Sequence, residues 1–314
     1  MTGALVSSEM MARAAAAAGL SDEADRPGPA PLASPSYLAL ESASILTDGG
    51  VFLKVMHPEM RQDFDLGAAM ALARQAGEAG IGPRVLWADP AQGAIAMEAL
   101  TEAGGWRRAM QVDLQEAPVL GAAMSALKAL HATPALSSRF DPFAQIDGLI
   151  ADYSRLGAPL PEDTGWLRRL IGAAEPVLRT GADLAPCRND GAASNLMLGP
   201  GGAVRLVDYD RAGMNDPLYD VGALLAETTD FEREMQAGFA AYAGAFDEVA
   251  FARARLWSFV DDMLHALWSR LKARTSARGG VEWLKYGEWR LMRLRMALNH
   301  PQYEQKIRLA GGAA

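Results

Sequence analysis

The sequence predicts an α+β chain of two lobes, a small antiparallel β-sheet lobe at residues 36–98 and a larger, mainly helical lobe at 99–298. Three observations predict it. Short apolar runs bracketing turn residues gather before residue 100, and amphipathic stretches too long for strands dominate after it. The 314 residues, half of them hydrophobic, also exceed the usual size of one core and suit two lobes sharing a cleft.

Taken in order, residues 1–35 read as a tail or linker: an Ala-rich start able to form a short helix, then a Pro-, Asp- and Ser-rich linker from Ser21 to Pro35. Tyr37 to Leu46 and Val51 to Met56 form two strands around the hairpin turn Thr47-Asp48-Gly49-Gly50. Alternation in the second strand puts Val51, Leu53 and Val55 on one face and Phe52, Lys54 and Met56 on the other. Asp63 to Ala79 is helical and ends at Gly80-Ile81-Gly82-Pro83, and Ala94 to Leu100 is a strand running into the lobe connection. Val112 to His131 suits an amphipathic helix whose terminal His131 is a core or capping residue. Tyr153 to Leu178 and Phe259 to Met296 supply further helix, and residues 299–314 form a C-terminal tail.

A net charge of -8 and a pI near 5.1 argue against nucleic acid or an anionic membrane as the main partner. No apolar run approaches the roughly 18 to 20 residues of a spanning helix, and the N-terminus lacks the basic region of a secretory signal. The single cysteine, Cys187, excludes an internal disulfide and fits a reducing, cytoplasmic setting.

The segment from Cys187 to Asp208 carries the chemistry. Asp190 is followed five residues on by Asn195, then by the apolar runs Leu196 to Leu198 and Val204 to Val207 around Gly199-Pro200-Gly201-Gly202, then by Asp208. A hairpin closing symmetrically would set Asn195 opposite Asp208 at its open end, with Asp190 in the loop before it. Phosphoryl transfer needs such a set: one carboxylate to accept a hydroxyl proton, and an Asn with a second carboxylate to hold Mg²⁺ against nucleotide phosphates.

At these residues the chain resembles the choline/ethanolamine kinase branch of the aminoglycoside phosphotransferase-like kinases, relatives of protein kinases. Members carry C-H-N-D-x-x-x-x-N, an apolar hairpin, D-Y-E or D-F-E, and N-D-x-x-x-D-I-G. Here Cys187-Arg188-Asn189-Asp190, Asp208-Tyr209-Asp210 and Asn215-Asp216-Pro217-Leu218-Tyr219-Asp220-Val221-Gly222 stand in those places, with Arg188 where the family usually has His. The resemblance implies a protein-kinase-like fold and ATP with Mg²⁺ as cofactors. It implies Asp190 as catalytic base, Asn195 and Asp208 as metal ligands, and Asp220 as a buried brace of the catalytic loop. It further implies Lys54 on the α and β phosphates, an acidic helix partner for Lys54 (Asp65, or else Asp63), and an adenine slot at Glu98, Ala99 and Leu100. No G-x-G-x-x-G loop precedes Lys54; Glu41-Ser42-Ala43-Ser44 falls at the phosphate-covering turn, so a short lid of Ser and Ala is expected.

The family's substrate segment is W-x-x-W-x-x-x-Q-A followed by F-x-Y-x-x-Y-A-x-x-R. Its counterparts here place Trp268, Trp283, Tyr286 and Arg290 on family positions, with His265 replacing the first Trp. Ring faces attract a small ammonium compound by about 0.5 to 2 kcal/mol each. The expected substrate is therefore a small molecule with a hydroxyl and an amine, a choline/ethanolamine-like amino alcohol, with Asp262 or His265 contacting a polar group that choline lacks. Two other readings stay open: an aminoglycoside or sugar phosphotransferase of the same family, and a catalytically weak relative that binds nucleotide or metabolite to regulate a partner.

Overall fold

The computed structural model describes residues 5–20, 25–28, 40–278 and 280–312. The first lobe is a five-stranded antiparallel sheet in the order β1-β2-β3-β5-β4: β1 (Asp25–Pro27), β2 (Ser42–Thr47), β3 (Val51–Met56), β4 (Val85–Asp89) and β5 (Ala94–Glu98). The β2–β3 hairpin is the one expected, with Ser44 opposite Lys54; its predicted beginning at Tyr37 lies outside the described residues. Ser42 to Ser44 are strand residues and do not form a phosphate-covering turn, since the β3 backbone pairs with them.

The tail reading of residues 1–35 is corrected where they are described. Helix α1 (Ser8–Ala17) buries Ala14 and Ala15 with Leu20 on the sheet face made by Val51, Leu53, Val55, Ala94 and Ala96. Alanines suit this contact because the apolar sheet face needs a cover that can approach closely. The opposite face of β3 is left to turn Lys54 toward the second lobe. Helix α2 (Leu66–Glu78) follows, begun by Asp65, whose carboxylate accepts the Ala68 N–H at 3.0 Å.

In the second lobe, β6 (Arg107–Arg108), β8 (Leu196–Leu198) and β9 (Val204–Leu206) form one small sheet, and β7 (Ala185–Cys187) pairs with β10 (Gly213–Asn215). Helices α4 (Pro142–Arg155), α5 (Thr164–Arg179), α6 (Pro217–Thr228), α9 (Gly280–Leu298) and α10 (Gln302–Ala310) surround α8 (Glu248–Thr275), while α3 (Ala117–His131) and α7 (Glu232–Ala243) pack on each other and on α6. α8 is buried on nearly every side from Phe251 to Lys272, so its sequence shows little polar striping. Gly222 permits the close approach of α6 to α8, because a Cβ there would stand 1.9 Å from the Ala254 carbonyl oxygen. The helical reading of Phe259 to Met296 resolves into α8 and α9, the break falling at Ser276, where β-branched Thr275 and Ser276 precede Gly279-Gly280.

The lobes are joined at the end of α8. Asp63 pairs with Lys272 at 2.5 Å and accepts the Trp268 indole N–H at 3.0 Å, while Met56 and Met60 pack on Trp268 and Trp283. Beside this seam His57 is buried, and its Nδ1 accepts the Val6 N–H at 2.9 Å, tethering the N-terminal segment. Burial and the nearby Arg278 charge push His57 down to about 4. Because that value lies below the ordinary 6.5, stability linked to this histidine is present above about pH 6.5 and is lost as the pH falls through 4. A histidine ring resonance titrating near pH 4, absent in His57→Gln, is the expected result in a proton NMR titration.

Candidate active site

The loop after β7 is built on one buried carboxylate. Asp220, near the start of α6, accepts the Arg188 N–H at 2.9 Å and the Asn189 N–H at 2.7 Å, and His131 Nε2 stands 3.1 Å from it. Asn189 has a left-handed backbone (φ 55°), tolerable for Asn because its side chain bonds locally. Its amide N–H groups reach the Cys187 and Arg211 carbonyls at 3.2 and 2.9 Å. Cys187, His131 and Asp220 cluster within 4.8 Å, but Asp220 is spent on backbone N–H groups and His131 also meets the Tyr242 hydroxyl at 2.8 Å. His131 is thus a structural residue, as read from the sequence.

Arg188 takes over the support that a His would give. Fully buried, it donates to the carbonyls of Asp190 (2.7 Å), Asn195 (2.7 Å) and Val207 (3.1 Å), tying the loop to both strands of the hairpin. Asp190 is fixed in turn: its carboxylate accepts the Ala192 N–H at 2.8 Å and the Asn195 amide N–H at 3.0 Å.

The hairpin register differs from the symmetric expectation by one residue. Leu196 faces Leu206, and Val207 N–H donates to the Asn195 carbonyl at 3.0 Å, so Asn195 lies opposite Val207. Asp208 follows with a left-handed backbone (φ 63°), which ends the strand and turns its carboxylate toward the sheet lobe. There Lys54 Nζ meets Asp208 at 2.8 Å and Asp210 at 2.7 Å. Burial opposes the charge of Lys54, but the two carboxylates outweigh it and hold the ammonium protonated well above its ordinary range. Burial, and then the Asp208 charge, push Asp210 up to about 7. With Lys54 spent on these two groups, the helix partner expected at Asp65 is corrected: Asp65 caps α2, and Asp63 belongs to the lobe seam. Glu41, just before β2, is the other carboxyl within electrostatic reach of Lys54 and Asp208.

Asn195 and Asp208 present hard oxygen donors: the Asn195 amide nitrogen is used on Asp190, leaving its oxygen, and Asp208 is only partly engaged by Lys54. That donor set fits Mg²⁺. In the lobe connection the Glu98 N–H serves the Arg84 carbonyl and the Ala99 N–H the Gly50 carbonyl, each within 2.9 Å. The Glu98 side chain pairs with Arg205 across the lobes. The Leu100 N–H has no hydrogen bond among the described residues.

Of the expected substrate residues, the structure brings Tyr286 toward the loop after β7 with His265 and Arg290 against its ring, and places Trp268 and Trp283 in the lobe seam. A cavity of about 300 Å³ is lined by Ala192, Ala193 and Ser194 on one side and by Tyr286, Trp289 and Glu227 on the other. Burial raises the Tyr286 phenol, and the Asp190 charge adds to that. Trp268 and Trp283 are buried edge to face, 4.9 Å between centroids, in the lobe seam. Asp262, His265 and Arg290, expected as substrate contacts, pair internally between α8 and α9, with His265 and Arg290 behind the Tyr286 ring at 6.1 and 5.7 Å from its centroid. Arg290 pairs with Asp261 and stands 2.9 Å from Asp262, and His265 lies 3.0 Å from Asp261. Helical spacing could have exposed Trp289 and Glu227 only with the partner helix known; Asp210 stood in the quoted D-Y-D run without a role.

The sequence profile of the family described as Phosphotransferase enzyme family matches residues 40–257. The fold is similar to that of a choline/ethanolamine kinase family protein from Mesorhizobium loti, 23% identical, with 97% of this chain and 98% of that one covered at a TM-score of 0.80. It is similar also to choline kinase LicA from Streptococcus pneumoniae (16% identity, 92% and 100% covered, TM-score 0.72) and to the gentamicin complex of APH(2")-IIa (14% identity, 91% and 96% covered, TM-score 0.64). No curated protein matches the chain in sequence. Matched over more than half its length and sharing the two-lobed, protein-kinase-like fold of these structures, the chain belongs to the phosphotransferase enzyme family.

Proposed function

We propose that the protein is an ATP- and Mg²⁺-dependent kinase that phosphorylates the hydroxyl of a small amino alcohol of the choline/ethanolamine type. The observation that carries this reading is the meeting of Asp190 and Asn195 with Lys54 and Asp208 at one cleft, beside a cavity walled by Tyr286, Trp289 and Glu227. The acceptor O–H would pass its proton to Asp190 as its oxygen bonds to the γ phosphorus and ADP leaves. Asp190 needs no reorganisation for this, since Ala192 and Asn195 already hold its carboxylate. Asn195 and Asp208 would hold Mg²⁺, which when bound neutralises phosphate charge. Lys54 would exchange its carboxylates for phosphate oxygens, and the Leu100 N–H would meet the adenine edge.

The cavity volume supports a small acceptor, being at the low end for a ligand site. The aromatic walls support an amine, and the Glu227 carboxylate beside them is shared with Arg293 at 2.9 Å. Arg290 and Arg293 lie 5.9 and 4.8 Å from the Trp289 ring, so part of that aromatic surface already serves internal cations. One observation favours a larger aminoglycoside or sugar acceptor: a second cavity of about 810 Å³ shares Gln111, Glu227 and Trp289 with the first.

Mg²⁺-dependent ADP release across choline, ethanolamine, simple sugars and aminoglycosides tests the reading; turnover with none of them despite ATP binding would favour a regulatory relative. Asp190→Asn is expected to cut kcat by about 10²- to 10⁴-fold with ATP affinity nearly intact, whereas Asp208→Ala weakens Mg²⁺-ATP binding itself. Equal effects on both quantities would contradict the separate roles. Arg188→Met leaves the Asp190 and Val207 carbonyls without a donor, that of Asn195 keeping the Val207 N–H, and is expected to lower stability by about 1 to 3 kcal/mol and kcat more than the KM for ATP. Arg188→His should recover part of both, as measured by denaturant unfolding and steady-state kinetics.

A further inference from the structure

Arg211, one residue past Asp210, is not used by the chemistry above. Its guanidinium carbon lies 4.4 Å from the Trp268 ring centroid and 5.2 Å from that of Phe64. Both rings are fixed, Trp268 by Asp63 and Trp283, and Phe64 by its edge contact with Trp268 at 6.1 Å. The backbone of Arg211 is fixed as well, its carbonyl accepting from Asn189 in the catalytic loop. The side chain is half-buried, yet among the described residues its guanidinium makes no hydrogen bond and has no carboxylate within 4.0 Å. Glu41 is within electrostatic reach but forms no ion pair with it.

Two consequences follow. The face of Trp268 that could attract an ammonium group already carries an internal cation, so this ring does not serve a cationic acceptor. A planar guanidinium clamped by rings, with its forked donors unspent beside the cleft, is built to grip two oxygens of one anion. We infer that Arg211 binds an oxyanion of the phosphoryl acceptor, so that the substrate is a hydroxylated amine that also bears a carboxylate or phosphate. The inference rests on the kinase reading and narrows it: the hydroxyl meets Asp190, the amine faces Tyr286, Trp289 and Glu227, and the anionic group meets Arg211. Arg211 is therefore a specificity-determining residue and takes no part in the proton transfer.

The test compares matched acceptors that differ by the anionic group: ethanolamine with serine, 3-aminopropanol with homoserine, and glycerol with glycerate and glycerol 3-phosphate. The last two separate carboxylate from phosphate. Wild-type protein is expected to show a kcat/KM for the anionic member about 10-fold or more above its partner, and Arg211→Leu to lower that ratio by about 10- to 100-fold. Arg211→Lys, which keeps the charge but loses the fork, should fall between them. A preference for the uncharged or purely cationic members, or an unchanged ratio in Arg211→Leu, would overturn the inference. So would a rise in the KM for ATP that is equal for all acceptors, since Arg211 would then be serving the nucleotide. If no acceptor releases ADP, the kinase reading fails, and calorimetry of serine, homoserine and glycerate binding to wild-type and Arg211→Leu protein still decides the matter: binding lost in the variant supports the anion site, and no binding to wild type removes it.

Discussion

Asp220 is the constraint on which the site depends. It is buried, and it answers two consecutive backbone N–H groups that no strand or helix could satisfy, one of them on a residue held in the left-handed region. A buried carboxylate is costly unless such donors surround it, and buried N–H groups are costly without an acceptor. The two costs cancel only in one conformation of the loop. Helix α6, which carries Asp220, is seated against α8 at Gly222, so helix packing in the core is converted directly into the position of Asp190.

Arg188 completes the same logic from the opposite direction. Asp220 holds the loop by its N–H groups and Arg188 holds it by its carbonyls, so the backbone around Asp190 is clasped on both polar edges. The exchange of a histidine for an arginine is tolerable because three carbonyls converge on one buried point, and a fork of donors can serve them together.

Much of the site was legible because its chemistry is local in sequence. The spacing of Asp190, Asn195 and Asp208 and the alternation that turns Lys54 away from the buried face of β3 can be read without a partner element. The hairpin register was off by one because the left-handed turn at Asp208 leaves no mark on an apolar pattern. Partners set by packing were not legible: Lys54 meets Asp208 and Asp210 across the lobes, more than 150 residues away in sequence, and not an acid on α2. The aromatic positions of α8 and α9 were read as one cage because helical spacing gives a face but not its direction. Trp268 and Trp283 in fact seal the lobes, and Tyr286 alone of the rings expected turns to the cavity. Likewise, the Ala-rich start could be read as a short helix but not as a cover for the sheet, because its docking surface is supplied by β3 and β5.

The double pairing of Lys54 makes the resting cleft behave as an ion exchanger. Under the proposed function, an arriving polyphosphate would create no new charge contact for the lysine; it would compete with two carboxylates for one ammonium and free them. Each freed carboxylate then raises the local demand for a cation. Under the proposed function, nucleotide and metal affinities would thereby be coupled and, by thermodynamic reciprocity, each would strengthen the other by the same factor.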